Sequence, residues 1–274
     1  MYSSLASVEK NLNYIHSLGV KYVVFIDDSF NIPLERFKNL LRMMIRNQYH
    51  FQWFSFFRIS HADDEAIALM EQSGCRGVIL GVESGVDTIL KNMDKRVTRE
   101  KLAWGIKKLT EHNIISYASC MVGFPGETIE TANKTIEFIQ EARPTFYDLQ
   151  CWFYENAVPI SKEKEYHNLE GYGYAWSHNN MDSGTASEIV MDAIQKIDQS
   201  YFMPSLSFNL WSLAYFLSQG AELEEFFEFS RLFKKVISYE RKDVDQTYKA
   251  NINELMGVFK NNKKLYENLR MRNI

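Results

Sequence analysis

The sequence predicts an α/β protein in which parallel strands alternate with helices. Two observations predict this class. The first half of the chain contains five continuous apolar runs, which are typical of strands buried on both faces. Segments with apolar residues at helical spacing separate these runs, and this alternation indicates right-handed β-α-β units. In such folds the functional face lies at the carboxyl ends of the strands.

The five predicted strands each end in polar or glycine-rich residues, apart from the last. In chain order the runs cover residues 22–26, 51–58, 77–82, 114–122 and 146–154. The first is followed by Asp27 and Asp28, the second ends at Arg58, and the third is followed by Glu83. The fourth leads into residues 123–126, Gly-Phe-Pro-Gly. We expect these residues at one edge of the sheet.

Helices are predicted before and between the strands. The spacing of apolar residues predicts helices over residues 5–18, 98–112 and 128–142. Gly19 is expected to end the first. Another is expected to contain Pro33 in its first turn, and Asp63 is expected to cap a further one. The series therefore begins on a helix, where folds of this class normally begin on a strand.

The second half of the chain differs in composition. Residues 155–182 are rich in Gly, Asn, His and aromatic residues, and we expect a long ordered loop or lid there. The predicted helices cover residues 183–200, 207–219, 222–237 and 251–270. The expected division is a barrel-like part over residues 1–160 and a substrate-side loop with a helical extension over residues 161–274.

Composition and charge exclude several classes of protein. The 274 residues are 46% hydrophobic, which is enough for a large core, and the formal net charge is −4. No basic excess points to nucleic acid or to an anionic membrane. No apolar run reaches the roughly 18–20 residues of a transmembrane helix. We expect a soluble, cytoplasmic protein with a small-molecule substrate.

The three cysteines predict neither a disulfide framework nor a metal site. Cys75, Cys120 and Cys151 are far apart in the sequence, and Cys120 and Cys151 lie within predicted strands. We interpret these two as small buried hydrophobic residues. No metal ligand is predicted in this chain.

The residues at the strand ends have a functional and a structural interpretation. Asp27 or Asp28 could accept hydrogen bonds from an amino group, or could simply cap a loop. Glu83, beside the small residue Ser84, could accept a ribose diol or form a salt bridge. Arg58 could hold a ligand carboxylate, or could pair with the acidic residues 63–65.

Two further segments leave the same choice open. The glycine-rich residues 123–126 precede a helix, whose amino terminus favours anionic groups, but they also suit a tight turn. His178 could be an acid/base group, a metal ligand, or a structural or solvated side chain. A catalytic residue is not assigned.

Taken together, these segments resemble the radical S-adenosylmethionine (SAM) superfamily, in particular its cobalamin-binding, Elp3-like branch. The resemblance rests, in chain order, on residues 25–30, Arg58, residues 77–85 and residues 121–128. Residues 171–183 look like the PhpK-type P-methyltransferase group within that branch. The resemblance implies a partial (β/α)₆ TIM-like half-barrel that lacks its first strand and has a C-terminal helical extension.

The resemblance also implies a set of cofactors, and it implies which part of SAM lies at each strand end. A [4Fe–4S] cluster would reduce SAM to give a 5′-deoxyadenosyl radical, and methylcobalamin would donate a methyl group. Asp27 or Asp28 would lie near the SAM amino group, Arg58 near its carboxylate, and Glu83 with Ser84 at the ribose. The adenine would be bordered by Gly123, Phe124, Pro125 and Gly126, and the substrate side would include Trp176 and His178.

The cysteines depart from this family pattern. The family holds its cluster with a CxxxCxxC motif after the first strand, and the sequence contains no such spacing. We therefore expect the C-terminal part of a radical SAM methyltransferase that is inactive alone. A missing N-terminal segment or a separate chain would carry the cluster and the cobalamin domain. The alternatives are a non-catalytic nucleotide- or partner-binding module and an unrelated TIM-like enzyme.

Overall fold

The apolar runs of the first half form a parallel sheet. The computed structural model describes residues 3–203, 210–237 and 246–270. The first five strands are β1 (Tyr22–Phe25), β2 (Gln52–Phe57), β3 (Cys75–Glu83), β4 (Ile115–Val122) and β5 (Phe146–Cys151). They lie side by side in this order, and every neighbouring pair is parallel. The predicted α/β class is confirmed.

Helices connect these strands. They are α1 (Leu5–Ser17), α2 (Leu34–Arg46), α3 (Asp64–Gln72), α4 (Asp87–Asn92), α5 (Arg99–Glu111) and α6 (Ile129–Ala142). Asp63 caps α3 as predicted, since its Oδ1 accepts a hydrogen bond from the Ala66 amide at 2.8 Å. The prediction for Pro33 was wrong by one residue. Pro33 has an extended ψ of 147° and precedes α2, which begins at Leu34.

The predicted loop over residues 155–182 is largely ordered secondary structure. After a 3₁₀ turn (Pro159–Glu163) come α7 (Lys164–His167) and three short strands, β6 (Glu170–Tyr172), β7 (Ala175–His178) and β8 (Met181–Asp182). The three strands form a separate antiparallel sheet. Gly171 and Gly173, at φ +85° and +64°, allow the tight connection between β6 and β7. The strands are too short for apolar alternation to reveal them.

The C-terminal part is helical, as predicted, with different bounds. It contains α8 (Ser183–Lys196), β9 (Tyr201–Phe202), α9 (Leu210–Ser218), α10 (Leu223–Ile237), α11 (Gln246–Gly257) and α12 (Lys263–Arg270). Strand β9 adds a sixth parallel strand beside β5, and a two-residue strand leaves no sequence signal. The predicted helix start at residues 207–209 lies outside the described residues. The division at residue 160 stays a prediction.

The two faces of the main sheet pack against different helices. Side chains alternate along each strand, so in β2 Trp53 and Phe57 belong to one face while Phe54 and Phe56 belong to the other. The first face packs against α1–α6 and α8. The second is covered by α9, α10 and α12, through side chains such as Leu213. The sheet is thus a buried central layer, which explains its continuous apolar runs.

Candidate functional site

A cavity of about 440 Å³ lies at the carboxyl ends of the first strands. Its apolar floor includes Phe56 and Ile79 from β2 and β3. Its polar lining includes three of the residues predicted from the sequence, Asp28, Arg58 and Glu83. Parallel strands bring their carboxyl ends to one edge, which is why residues distant in sequence meet here.

The two aspartates after β1 differ in position. Asp28 lines the cavity together with Ser29, whereas Asp27 does not line it. Both aspartates are exposed. The structure therefore separates a pair that the sequence left equivalent.

Arg58 is held in place by a buried asparagine that sequence analysis missed. The Asn31 side chain accepts a hydrogen bond from the Arg58 amide at 2.9 Å and donates to the Arg58 carbonyl at 2.9 Å. Asn31 also donates to the His61 carbonyl at 2.9 Å and is completely buried. This clamp fixes the backbone of Arg58, while the guanidinium remains exposed at the cavity.

The alternative salt bridge of Arg58 is wrong for the described part of the chain. The acidic residues 63–65 pair with other cations. Lys38 of α2 lies 2.6 Å from the Asp63 carboxylate and 2.8 Å from that of Glu65, which also contacts Arg42. Lys108 of α5 lies 3.1 Å from the Asp64 carboxylate. These neighbours occupy the acidic residues and leave the Arg58 guanidinium to the cavity.

Glu83 ends β3 in an unusual backbone conformation. Its φ is +63°, in the left-handed region, and the pairing of β3 with β4 shifts register between Gly81 and Glu83. Its carboxylate Oε1 lies 2.8 Å from the Lys95 ammonium, which also lines the cavity. Lys95 lies twelve residues after Glu83, and no local pattern in the sequence links the two.

Ser84, although next to Glu83, lies away from the cavity lining. Its side chain is completely buried, and its Oγ lies 3.1 Å from the Thr135 Oγ1 of α6. Thr135 also accepts a hydrogen bond from the Gly85 amide at 3.1 Å. The hydroxyl of Ser84 therefore anchors the segment after β3 to α6.

The remaining predicted residues form a second cluster. Residues 123–126, which include Phe124 and Pro125, follow β4, and none of them lines the cavity. Gly123 is covered by Trp176, whose indole nitrogen donates to the Trp152 carbonyl at 2.7 Å. The buried His178 stacks against Trp176, and its Nε2 lies 3.2 Å from the Gly123 carbonyl oxygen. Burial lowers the pKa of His178.

Glu127 supports this second cluster from inside. Its Oε2 accepts a hydrogen bond from the Gly123 amide at 2.6 Å, while its Oε1 has no hydrogen-bond partner among the described residues. Burial of the carboxyl raises the pKa of Glu127 to about 7. The sequence contained this glutamate within the glycine-rich motif but did not reveal its burial.

The cysteines do not fit a [4Fe–4S] cluster. Cys75 begins β3, whereas Cys120 and Cys151 lie near the far ends of β4 and β5. Burial raises the pKa of all three thiols, so the thiolates that bind iron are disfavoured. Within the described ranges no three His, Cys, Asp or Glu side chains converge on a metal position. The cavity offers two carboxylates that accept hydrogen bonds and a guanidinium that donates them, which suits an amino-acid zwitterion and a diol instead.

No helix in the described part of the chain is long and apolar enough to cross a membrane.

Known proteins resemble the first half of this chain. The profile of the Radical SAM superfamily matches residues 2–139. An uncharacterized methyltransferase of Pyrococcus horikoshii is 25% identical over 139 residues, which are 50% of this chain and 30% of the relative. A tRNA-2-methylthio-N(6)-dimethylallyladenosine synthase of Pelotomaculum thermopropionicum is 36% identical over 111 residues, which are 38% of this chain and 24% of that enzyme. The chain thus aligns with only about a quarter to a third of these curated relatives.

One solved structure with a similar fold is TsrM of Kitasatospora setae, described as a radical S-adenosylmethionine methyltransferase with cobalamin and a [4Fe–4S] cluster bound. The TM-score is 0.54 and the identity 22%, over 58% of this chain and 33% of TsrM. This likeness concerns the fold.

Proposed function

The chain belongs to the radical SAM superfamily, and on that premise we propose that its strand-end cavity binds SAM. One observation carries the proposal. Asp28, Arg58 and Glu83 come from the ends of three different strands and line one cavity. These two acceptors and one donor complement an ammonium, a ribose diol and a carboxylate, which SAM presents together.

Each of the three residues has a distinct role in this proposal. The exposed Arg58 guanidinium, on a backbone clamped by Asn31, donates to the carboxylate of the ligand. Asp28 accepts from the ammonium group, and Glu83 accepts from the ribose hydroxyls. Phe56 and Ile79 form the apolar floor that excludes water beneath these contacts.

The reaction we propose for the whole enzyme is cobalamin-dependent methyl transfer to a small molecule. When bound, a [4Fe–4S] cluster would supply the electron that cleaves SAM, and cobalamin would supply the methyl group, while Asp28, Arg58 and Glu83 would hold SAM. Methyltransferase and methylthiotransferase relatives support a transfer of this class. The residues of this chain contribute binding and orientation of SAM at the strand ends.

We propose that a further polypeptide segment or a separate chain provides two things: the ligands of the [4Fe–4S] cluster, and the cobalamin domain. The cysteines of this chain are scattered, with two buried and one half-buried, and this supports that part of the proposal. The chain alone should then be inactive. Anaerobic reconstitution with iron and sulfide tests this: we expect no stable cluster and no SAM cleavage. A cluster that forms on this chain and cleaves SAM would overturn it.

SAM binding itself is tested by calorimetry with S-adenosylhomocysteine. We expect the wild-type chain to bind, and Arg58→Met and Glu83→Gln to weaken binding about tenfold or more, because each removes a charge-assisted hydrogen bond. Asp27→Asn is the matched control, since Asp27 is exposed and does not line the cavity. No binding by the wild type, or equal binding by all variants, would contradict the proposed site.

A second candidate is a non-catalytic module that binds a nucleotide or a partner. The mismatch between the cysteines and a cluster favours it. The two functions differ in one measurement. A separate polypeptide that carries the [4Fe–4S] cluster is added to this chain. SAM cleavage should be restored if the chain is part of an enzyme, and it should stay absent if the chain is only a binding module.

A further inference from the structure

Glu83 forms an ion pair in the cavity, and the sequence did not identify its partner, Lys95. Glu83 Oε1 and Lys95 Nζ are 2.8 Å apart, and the two side chains are only 19% and 23% exposed. Both line the cavity. We propose that Lys95 is a positioning residue, which orients the Glu83 carboxylate to accept the ribose hydroxyls of a nucleoside ligand. This inference rests on the proposed function.

The backbone around Lys95 is shaped to direct its side chain toward Glu83. Lys95 lies between α4 and α5, and its amide donates to the Leu90 carbonyl at 3.0 Å. Its neighbours Asp94 and Arg96 both have left-handed φ values, +51° and +52°. The exposed side chains of Asp94 and Arg96 pair with each other at 3.0 Å, and Lys95 is not part of that pair. The left-handed Asp94 belongs to the Schellman motif that ends α4, in which the Asp94 amide donates to the Lys91 carbonyl, so Lys95 directly follows a fixed helix end.

Glu83 adds a third left-handed residue to the same small region. Its φ of +63° follows the register shift between β3 and β4. Non-glycine residues rarely adopt this conformation, and they persist where the surrounding structure holds them. Glu83 itself and the two neighbours of Lys95 thus have left-handed backbone conformations, so the backbone on both sides of the ion pair is constrained.

Gly81 provides the space in which the pair lies. A Cβ atom at this position would be 3.0 Å from Glu83 Oε1 and 3.3 Å from Lys95 Nζ. Both charged groups thus lie directly over the backbone of β3, and both line the cavity. A glycine here allows that close approach.

The pair leaves one carboxylate oxygen for a ligand. Lys95 contacts Oε1, and in the described part of the chain Oε2 has no hydrogen-bond partner. A carboxylate already fixed by Lys95 loses less conformational freedom when it accepts a diol. Without Lys95 the Glu83 side chain would rotate, and binding would have to order it.

Lys95→Met tests this role in calorimetry with S-adenosylhomocysteine. We expect the affinity to fall about tenfold, and Lys95→Arg to recover most of it. Lys91→Met removes a charge from the exposed surface of α4 and is the matched control, with unchanged affinity. Thermal unfolding verifies that each variant is folded.

A pair of nucleosides separates positioning from a merely structural role. Lys95→Met should weaken the binding of adenosine by the same factor as the binding of S-adenosylhomocysteine. It should leave the binding of 2′,3′-dideoxyadenosine, which is weaker, unchanged. Gly81→Ala, which displaces the pair, should give the same ribose-dependent loss if Lys95→Met fails to fold.

The possible results are distinguishable. If the wild type binds and Lys95→Met binds equally well, only this inference fails. If Lys95→Met weakens the binding of dideoxyadenosine as much as the binding of adenosine, Lys95 has a structural role and the inference is again overturned. If the wild type binds none of these ligands, the proposed function fails as well.

Discussion

The indole of Trp176 lies against the backbone of Gly123, where a side chain has no room. A Cβ atom at Gly123 would be 2.5 Å from Trp176 Cζ2 and closer still to Cη2. Gly123 also has a φ of +101°, which favours glycine. Through this contact the small antiparallel sheet packs onto the loop after β4.

Gly123→Ala should therefore destabilise the fold by about 3 kcal/mol or more, because it combines backbone strain with overpacking. Urea unfolding measures the change. Gly257→Ala is the control: Gly257 lies in α11, and a Cβ atom there would meet nothing within 4 Å. That variant should be neutral or gain up to about 1 kcal/mol. Equal midpoints for the two variants would contradict the packing described here.

Glu127 should make stability fall as the pH rises. Burial raises the pKa of Glu127 from 4.5 in the unfolded chain to about 7 in the fold. The folded state thus binds this proton more tightly, so the contribution is fully present below pH 4.5 and is lost as the pH rises through 7. The whole effect is of the order of 3 kcal/mol.

Glu127→Gln should flatten the dependence of Tm on pH between about pH 5 and pH 8, because the amide does not titrate. Burial lowers the pKa of His178, but His178 is present in both proteins and so does not account for a difference between them. Glu137→Gln, at an exposed position of α6, should keep the wild-type slope. An unchanged slope in Glu127→Gln would count against a buried, protonated carboxyl.

The three thiols should differ in reactivity. Cys75 and Cys120 are buried and Cys151 is half-buried. Because the thiolate is the reactive species, Ellman's reagent should label Cys151 first, and the other two only on unfolding. Cys151→Ser should abolish the native-state reaction. Three equal rates in the native protein would show that the strands are not packed in this way.

Thr135→Val should cost about 1–3 kcal/mol, since it leaves the Gly85 amide and the Ser84 hydroxyl without their buried partner. Urea unfolding measures this loss. Thr110→Val is matched in chemistry, but Thr110 is exposed and its hydroxyl donates to the Ile106 carbonyl of the same helix, so little change is expected. Similar losses for the two variants would indicate that burial at Thr135 does not matter.

Local patterns predicted much of the fold and part of the site. Continuous apolar runs identified five strands, because a strand buried on both faces needs apolar residues throughout. The rule that ligands bind at strand ends then selected Asp28, Arg58 and Glu83, which do share a cavity. Strand β9 and the small antiparallel sheet were missed, since two to four residues are too few for periodicity to be visible.

The sequence by itself determined the fold class, the order of strands and helices, the family resemblance and the lack of a CxxxCxxC motif. Only the tertiary structure decided that Lys95 pairs with Glu83, that Asn31 clamps Arg58, and that Trp176 covers Gly123. Periodicity reports the burial of a single element, because each element repeats its contact with the core. A contact between distant loops has no repeat, so it emerges only when the packed elements bring those loops together.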